Sequence, residues 1–531
     1  MVVIKNNIKA DSHPKHYLMH KYWGRKPHNV VNKYIVQHTK EHEVVLDPFM
    51  GSGVVVIEAL KLNRKAYGVD LNPISCFIAK NTISNFNEEL LSKEFLKIYN
   101  NSFKQYSNLY QTKCPKCNSI SEFENSIWEG DTLKRIRGNC DTCGKFVKDA
   151  DSFDINQFKK STKLFKDLDK KNKLFYPKDE ILKYVKRNGK TNINMLFSER
   201  ALVILSSIIK DIKKVNDANT RNLLLMVFTS MLPNVSKMIP GNLSTVNGKS
   251  GWVISKLWSP KIHTEKNIFN SFDFRFNKIL LGKKEIDGYV NPSNAFLYNE
   301  NSEKLNFIKS NSIDYIFTDP PYGDSIAYFA LSMFWNSWLD EKVNYSDEII
   351  YDPYRNKRYD DYGLRLKNVY KELYRVLKDK KYLSFTFNNR NLNIWKVVID
   401  AVIDAGFHLQ NIVYQEQAVA SGTQGLNRKN TLKGDFVYNF IKDKSKKRVK
   451  TKSQKNATSL IVNNVNKWIS QKNNLLTPDE LYERLIPLLV KNNAYTDEDN
   501  KVVNIEDILK KNFVYDNKII NGLMVYGWKK K

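Results

Sequence analysis

The chain has 531 residues, too many for one compact core, so two or more domains are expected. Its 85 Lys and Arg against 56 Asp and Glu leave a formal net charge of +29, a surplus that attracts polyanions and makes nucleic acid the expected large partner. Apolar runs such as Leu223–Leu232 fall well short of the roughly 20 residues of a spanning helix, and the first residues lack a secretory apolar core. Neither a membrane nor a secreted protein is therefore expected, and a cytoplasmic location is. There the five cysteines are not expected to form disulfides, and the paired spacing of four of them points to metal.

Residues 44–47 (VVLD) predict a short buried strand, followed by the turn PFMGSG and a helix in VVVIEALKL. KAYGVD predicts a second strand ending at Asp70, and ISCFIAKNTISNF a second helix. Such alternation is the signature of a parallel sheet with helices on its faces. Gly51 and Gly53 let the backbone turn sharply and approach a ligand, at the strand end where α/β sheets bind one. The turn is neither G-x-G-x-x-G nor G-K-[ST], so phosphate-loop chemistry is not indicated. Asp70, closing the next strand, can accept hydrogen bonds from a ribose diol. Nucleoside recognition without a phosphate loop favours a nucleoside cofactor lacking phosphates, and S-adenosylmethionine fits.

From about residue 91 to 285 the alternation stops. Cys114, Cys117, Cys140 and Cys143 form two C-x-x-C knuckles separated by 22 residues. Four thiolates complete a tetrahedral Zn2+ shell with no open position, which makes the metal structural; a redox dithiol is the alternative. Lys-rich helical stretches follow, among them SERALVILSSIIKDIKKV. His16 and His20 have ligand spacing but lack the Glu of H-E-x-x-H, and are expected not to bind metal.

The alternation resumes near residue 294, and the predicted strand SIDYIF runs straight into TDPPYGDS, residues 318–325. Asp319 and the carbonyl of Pro320 can both accept hydrogen bonds from an exocyclic amine. Pro320 and Pro321 fix the backbone that aims them. Accepting both amine hydrogens draws the nitrogen lone pair out of conjugation with its ring. Tyr322 offers a flat face for stacking, so the loop suits an amino-bearing base drawn out of a helix. A helix at YGLRLKNVYKELYRVL, a strand at KYLSFTF, a helix at NIWKVVIDAVIDAGF and strands at LQNIVYQEQ and GDFVYNFIK follow. Residues 1–90 and 286–443 thus form one α/β domain, interrupted by an insertion over 91–285 with a zinc ribbon at 112–146. A basic linker (444–457) leads to a small C-terminal accessory module (458–531).

TDPPYGDS resembles motif IV of the amino-group DNA methyltransferases, and LDPFMGSG resembles their motif I. The arrangement is most similar to the adenine-specific DNA methylases that carry a zinc ribbon, over roughly residues 13–443. The resemblance implies a Rossmann-like S-adenosylmethionine-dependent methyltransferase sheet. It places Asp47, Pro48, Phe49, Gly51, Ser52, Gly53 and Asp70 around the cofactor, and Asp319, Pro320, Pro321 and Tyr322 around the target base. HKYWGRKPHNVV resembles the segment that covers the methionine end, which brings in Lys21, Trp23, Gly24 and Lys26. Asn301 stands where such enzymes often have an acid that touches the cofactor adenine, and Asn388 falls near the base or its backbone.

The implied activity is site-specific, direct methyl transfer to the N6 amine of adenine in duplex DNA. The same pocket logic serves the N4 amine of cytosine, the nearest alternative; RNA methylation and non-catalytic nucleic-acid binding stand behind it. C5-cytosine methylation needs a cysteine nucleophile, and Cys76, outside the two pairs, has the surroundings of a buried apolar residue. The insertion is the expected target-recognition element. The loops NLSTVNGKSGW, DPYRNKRYDDYG and SGTQGLNRKNTLKG can either track phosphates or stand as solvated loops. A separate restriction or defence-system partner is compatible with the resemblance, and the sequence does not identify one.

Overall fold

The structure is a computed structural model that describes residues 4–186, 189–244, 252, 256–323, 327–389, 391–416, 434–446, 457–471, 475–499, 501–520 and 523–531. The loop 417–433 and most of the basic run 444–456 lie outside the described residues.

Helix α1 (His28–His38) precedes strand β1 (Val44–Asp47), helix α2 (Val54–Lys61), strand β2 (Lys65–Val69) and helix α3 (Pro73–Ile83). Helix α4 (Glu88–Tyr106) leads into strands β3 (Gln111–Lys113), β4 (Ile120–Glu129), β5 (Thr132–Cys140) and β6 (Gly144–Asp149). Helices α5 (Ser152–Lys170), α6 (Glu199–Lys213) and α7 (Ala218–Val235), strand β7 (Ile262–Lys266) and helix α8 (Ile268–Ile286) follow. Strands β8 (Ala295–Tyr298) and β9 (Ile313–Thr318) come next, then two single-turn helices, α9 (Tyr328–Leu331) and α10 (Met333–Asn336). Helix α11 (Tyr359–Val376), strand β10 (Leu377–Phe387), helix α12 (Leu392–Ala405) and strands β11 (Phe407–Glu416) and β12 (Gly434–Lys442) complete this part.

Seven of these strands form one mixed, mostly parallel sheet in the order β11-β12-β10-β9-β1-β2-β8. Only β12 runs against its neighbours, β10 and β11. From β1 the chain steps outward through β2 to β8; from β9 it steps the other way to β10. The order therefore reverses between β1 and β9, and a crevice at the carboxyl ends of these two strands is where such sheets bind ligands. Both strands are mostly apolar because helices cover both faces: all six residues of β9 are buried, with Asp314 paired to Lys378. Helix α2 is buried from Val54 through Leu60, as an almost wholly apolar helix must be.

Strands β3–β6 form a separate antiparallel sheet, to which β7 adds beside β4. A buried ion pair joins this sheet to α6: Arg200 meets Glu265 of β7 at 2.7 Å, both 3% exposed. The Arg200 guanidinium also lies over the rings of Tyr110 and Phe123, and Glu265 accepts from Trp128 and Ser198, so the buried charges are fully engaged. The core of α4, α6, α7 and α8 continues into Met19 and Trp23 of the N-terminal segment and into Phe334, Trp335 and Trp338 beyond β9.

The C-terminal residues form helices α13 (Ala457–Gln471), α14 (Pro478–Lys491) and α15 (Ile505–Asn512) and the hairpin of β13 (Phe513–Ile520) and β14 (Leu523–Lys530). They do not build a core of their own. Ala457, Ile461, Val465 and Ile469 make an i, i+4 stripe on α13, and they share one core with Trp395 of α12 and Tyr438 of β12. Among the described residues no helix is long and apolar enough to cross a membrane.

Candidate active site

The turn after β1 hangs on the end of β2. Asp70 accepts the Gly51 N–H on Oδ2 and the Asn72 N–H on Oδ1, each at 2.8 Å. The Met50 N–H donates to the Val69 carbonyl at 3.1 Å. Gly53 caps α2 with φ +86°, and a Cβ there would lie 2.8 Å from the Cβ of Ala79. Burial raises the Asp70 carboxyl to about 6 against those hydrogen bonds. Ser302 donates its hydroxyl to the Pro48 carbonyl at 2.5 Å, which brings the β8–β9 connection beside the turn. Asn301 caps that connection by accepting the Glu303 N–H at 2.9 Å.

Asp47 joins the two halves. Its Oδ1 accepts the Phe49 N–H at 3.1 Å and the Thr318 hydroxyl at 2.7 Å, so the ends of β1 and β9 are tied side by side. The carboxyl is 3% exposed, and burial pushes it up to about 8.

The loop after β9 is held from several elements. Tyr362 of α11 donates to the Pro321 carbonyl at 2.5 Å, and Asn389 donates to the Tyr322 carbonyl at 2.8 Å. Gly323 has φ +69°, with Ile394 Cδ1 only 2.4 Å from where a Cβ would stand. Asp319 Oδ1 accepts the Thr386 hydroxyl of β10 at 2.6 Å. The Tyr322 ring meets Phe387 edge to face, with centroids 5.2 Å apart. Asn388 donates to the Gly434 carbonyl at 2.7 Å, tying β10 to the start of β12. Asp324 and Ser325 of the motif lie outside the described residues.

The N-terminal segment roofs both halves. Arg25 donates from Nε to Ser52 at 2.9 Å, from Nη2 to the His20 carbonyl at 3.0 Å, and from Nη1 to the Tyr17 carbonyl. Tyr22 and Ser75 share a hydrogen bond of 2.7 Å. Trp23 is buried among Trp252, Tyr328 and Trp335, and its indole N–H has no partner among the described residues. Lys26 turns toward the loop after β9, donating to the Tyr322 hydroxyl at 2.5 Å and to Asp435 of β12 at 2.6 Å. His16 pairs with Glu285, and His20 bonds the Lys21 carbonyl and Thr229.

One cavity runs through these groups, from Asp70 and Asn301 past Phe49, Gly51 and Ser52 to Asp319, Pro320, Pro321 and Tyr322, beneath Trp23, Gly24 and Lys26. Pro48 and Gly53 shape the turn without lining the cavity. Lys21 also stands outside the lining, its amine donating to the Trp252 carbonyl at 3.2 Å. Sequence reasoning missed Arg25, Tyr328, Thr386 and Asp435. Asp435 had a signal: it is an acid at the head of the largely apolar strand GDFVYNFIK, and a buried charge needs a partner.

The four paired cysteines converge, with all Sγ atoms within 4.8 Å of one another. Asn118 and Gly144, each following a knuckle, take left-handed φ of 59° and 71° and turn the chain back. Four thiols without a competing donor type fit a closed tetrahedral Zn2+ shell. Cys76 instead donates to the carbonyls of Asp70 and Tyr298, and burial raises its thiol. It is poised as a half-buried packing residue and not as a nucleophile.

The profile of the DNA methylase family matches residues 4–81 and 313–518, more than half of the chain. It leaves out residues 82–312 and runs on through the C-terminal helices to residue 518. Type II methyltransferase M.MvaI of Kocuria varians is 24% identical over 313 residues, 57% of this chain and 52% of its own. Type II methyltransferase M.MjaII of Methanocaldococcus jannaschii is 26% identical over 91 residues, 17% of each chain. Type II methyltransferase M2.LlaDCHI of Lactococcus lactis subsp. cremoris is 37% identical over 60 residues, 11% of this chain and 22% of its own. The chain thus spans about half, or less, of the length of each of these relatives.

Proposed function

Because the chain belongs to the DNA methylase family, we propose that it transfers a methyl group from S-adenosylmethionine to the N6 amine of adenine in duplex DNA. One observation carries the reading. The turn held by Asp70 and the loop headed by Asp319 border the same cavity, at the switch point of the sheet.

The residues fit the cofactor. Asp70 and Asn301 stand at one end of the cavity for a nucleoside, and Trp23, whose indole N–H has no partner among the described residues, also lines it. Asp47, Pro48, Phe49, Gly51, Ser52 and Gly53 shape the wall between. Lys21 acts by holding Trp252 against Trp23. When bound, S-adenosylmethionine supplies an electrophilic methyl group on a sulfonium that leaves as a thioether.

The chain's own work is done at the acceptor. Asp319 and the Pro320 carbonyl accept the two amine hydrogens and free the nitrogen lone pair for attack. Pro320 and Pro321, pinned by Tyr362, keep the acceptors aimed. Tyr322 stacks on the flipped base. Burial raises the Asp319 carboxyl, which makes it a better acceptor for the amine proton that must leave. The acid before PPY favours adenine over cytosine. The cysteine cluster would hold a structural Zn2+, and the insertion would read the target site.

The test is to incubate the protein with unmethylated duplex DNA and S-adenosylmethionine, digest to nucleosides and identify them by mass spectrometry. N6-methyldeoxyadenosine is expected. N4-methyldeoxycytidine would overturn the base assignment while keeping the cofactor and Asp319. No methylated base would overturn DNA methylation and redirect the question to RNA or to binding alone.

A further inference from the structure

Lys26 sits where a cover for the cofactor does not need a charge. Its Nζ lies 2.6 Å from Asp435 Oδ2 and 3.2 Å from Asp319 Oδ1, and 4.8 Å from the centroid of the Tyr322 ring. The side chains of Lys26 and Asp435 are 11% and 7% exposed; Asp319 keeps 29% because it faces the cavity. Two carboxylates in one buried site resist joint ionisation, since each raises the pKa of the other. A cation between them removes that conflict.

We propose that Lys26 is a positioning residue of the acceptor site: bridged to Asp435, it holds Asp319 as an aimed anion and sets the pH range in which Asp319 can accept a base amine. The inference rests on the reading of Asp319 as that acceptor.

The groups facing Asp319 come from six directions. Lys26 arrives from the N-terminal segment, Asp435 from β12, Thr386 from β10 and Asp47 from β1. Tyr322 belongs to the same loop, and Tyr328 to α9. Among the described residues the cation paired with Asp319 is Lys26. Burial and Asp435 push the Asp319 carboxyl up, and Lys26 pulls it down. Burial alone would lower the Lys26 amine, but Asp319 and Asp435 outweigh it and keep the amine charged. The lysine is placed firmly. Arg25 is bonded to Ser52 and His20, and Pro27 heads α1 on the other side. Thr386 donates to Oδ1 and the Lys26 ammonium is ion-paired with the same oxygen at 3.2 Å, so two elements fix the orientation of the carboxylate.

The experiment compares pH profiles of kcat for the full chain on duplex DNA at saturating S-adenosylmethionine. Lys26→Met should move the acid limb to higher pH by about one unit or more, as loss of an adjacent opposite charge does. Activity lost near neutrality should return at alkaline pH, with cofactor affinity unchanged. Lys26→Arg should restore the limb. Asp435→Asn removes the competing carboxylate and should move the limb the other way, which keeps the inference testable if Lys26→Met does not fold. A uniform loss across pH in Lys26→Met, with the limb in place, would overturn the inference. A second readout needs no turnover: the 13C-carboxyl resonance that disappears in Asp319→Asn should titrate at higher pH in Lys26→Met than in the unaltered chain. If the unaltered chain methylates nothing, the proposed function fails, and this titration still decides the role of Lys26. Equal titrations would overturn that role even in an active methyltransferase.

Discussion

Gly53→Ala tests whether the turn after β1 is built as described. Gly53 has φ +86°, where an L-residue costs about 1 kcal/mol relative to glycine. The added Cβ would stand 2.8 Å from the Cβ of Ala79, which is 1% exposed on α3, and 3.5 Å from its Cα. Alanine has no flexible end to swing aside, so α2 and α3 must separate. Overpacking of this kind costs a further 1–3 kcal/mol or so, for a total of about 2–4 kcal/mol. Gly130→Ala is the internal control: φ is +58°, but nothing lies within 4 Å of the new Cβ. It should cost only the conformational part, about 1 kcal/mol. Denaturant midpoints with constant slope would give the two values. The cofactor dissociation constant should rise only in Gly53→Ala, because that substitution displaces the wall carrying Gly51 and Ser52. Equal destabilisation by the two substitutions would refute the packing argument.

Asp319→Ala should lower kcat by about 10²–10³-fold or more, the cost of removing an acceptor aimed at developing charge, with cofactor affinity within about threefold. Loss of cofactor binding in the folded variant would contradict the assignment of Asp319 to the base end. His38 tests burial of a titratable ring. It stacks on Tyr315 at 4.8 Å, and neither ring nitrogen has a partner among the described residues. Burial lowers it from 6.5 to about 4, so the unfolded chain takes up the proton first as pH falls. The stability difference between the native chain and His38→Gln should be constant above about pH 6.5 and decline toward about pH 4, by up to about 3 kcal/mol. A flat difference would show that the ring is hydrated.

What the sequence disclosed and what it hid divide along physical lines. The strands Val44–Asp47 and Ile313–Thr318 were legible because each is a short apolar run ending in a charged turn, too short for a buried helix and too apolar for a surface loop. Gly51, Asp70, Asp319 and Tyr322 were legible because each stands in a tight local motif, and all four line the cavity. Lys26 was associated with the cofactor because it lies in the N-terminal segment, yet it faces Asp319 and Asp435, which are 293 and 409 residues away in sequence. No local pattern reports a pairing across that distance. Likewise α13 presents a one-sided apolar stripe, which announces that it packs on something but not on what. The common core with Trp395 and Tyr438 supplies the answer only once the sheet has formed.

The cysteine cluster gives a prediction that separates recognition from cofactor binding. Among the described residues, those lining the cavity fall between 22 and 72 or between 301 and 350, so residues 91–285, the proposed insertion, contribute none of them. The mechanical link of the cysteine-bearing sheet runs instead from β4 to β7 and through Arg200 and Glu265 to α6. The purified chain should carry one equivalent of zinc, and a chelator or Cys114→Ser should loosen β3–β6 first. Affinity for duplex DNA, measured by fluorescence anisotropy, should then fall tenfold or more, since the insertion is the proposed reader of the target site. S-adenosylmethionine affinity, measured by calorimetry on the same sample, should stay within about twofold, because no lining residue moves with the ribbon. Parallel loss of both affinities would mean that the metal holds the whole fold together through α6 and the core around Trp23. Unchanged DNA affinity in the metal-free chain would remove the ribbon sheet from target recognition and leave the helical part of the insertion to carry it.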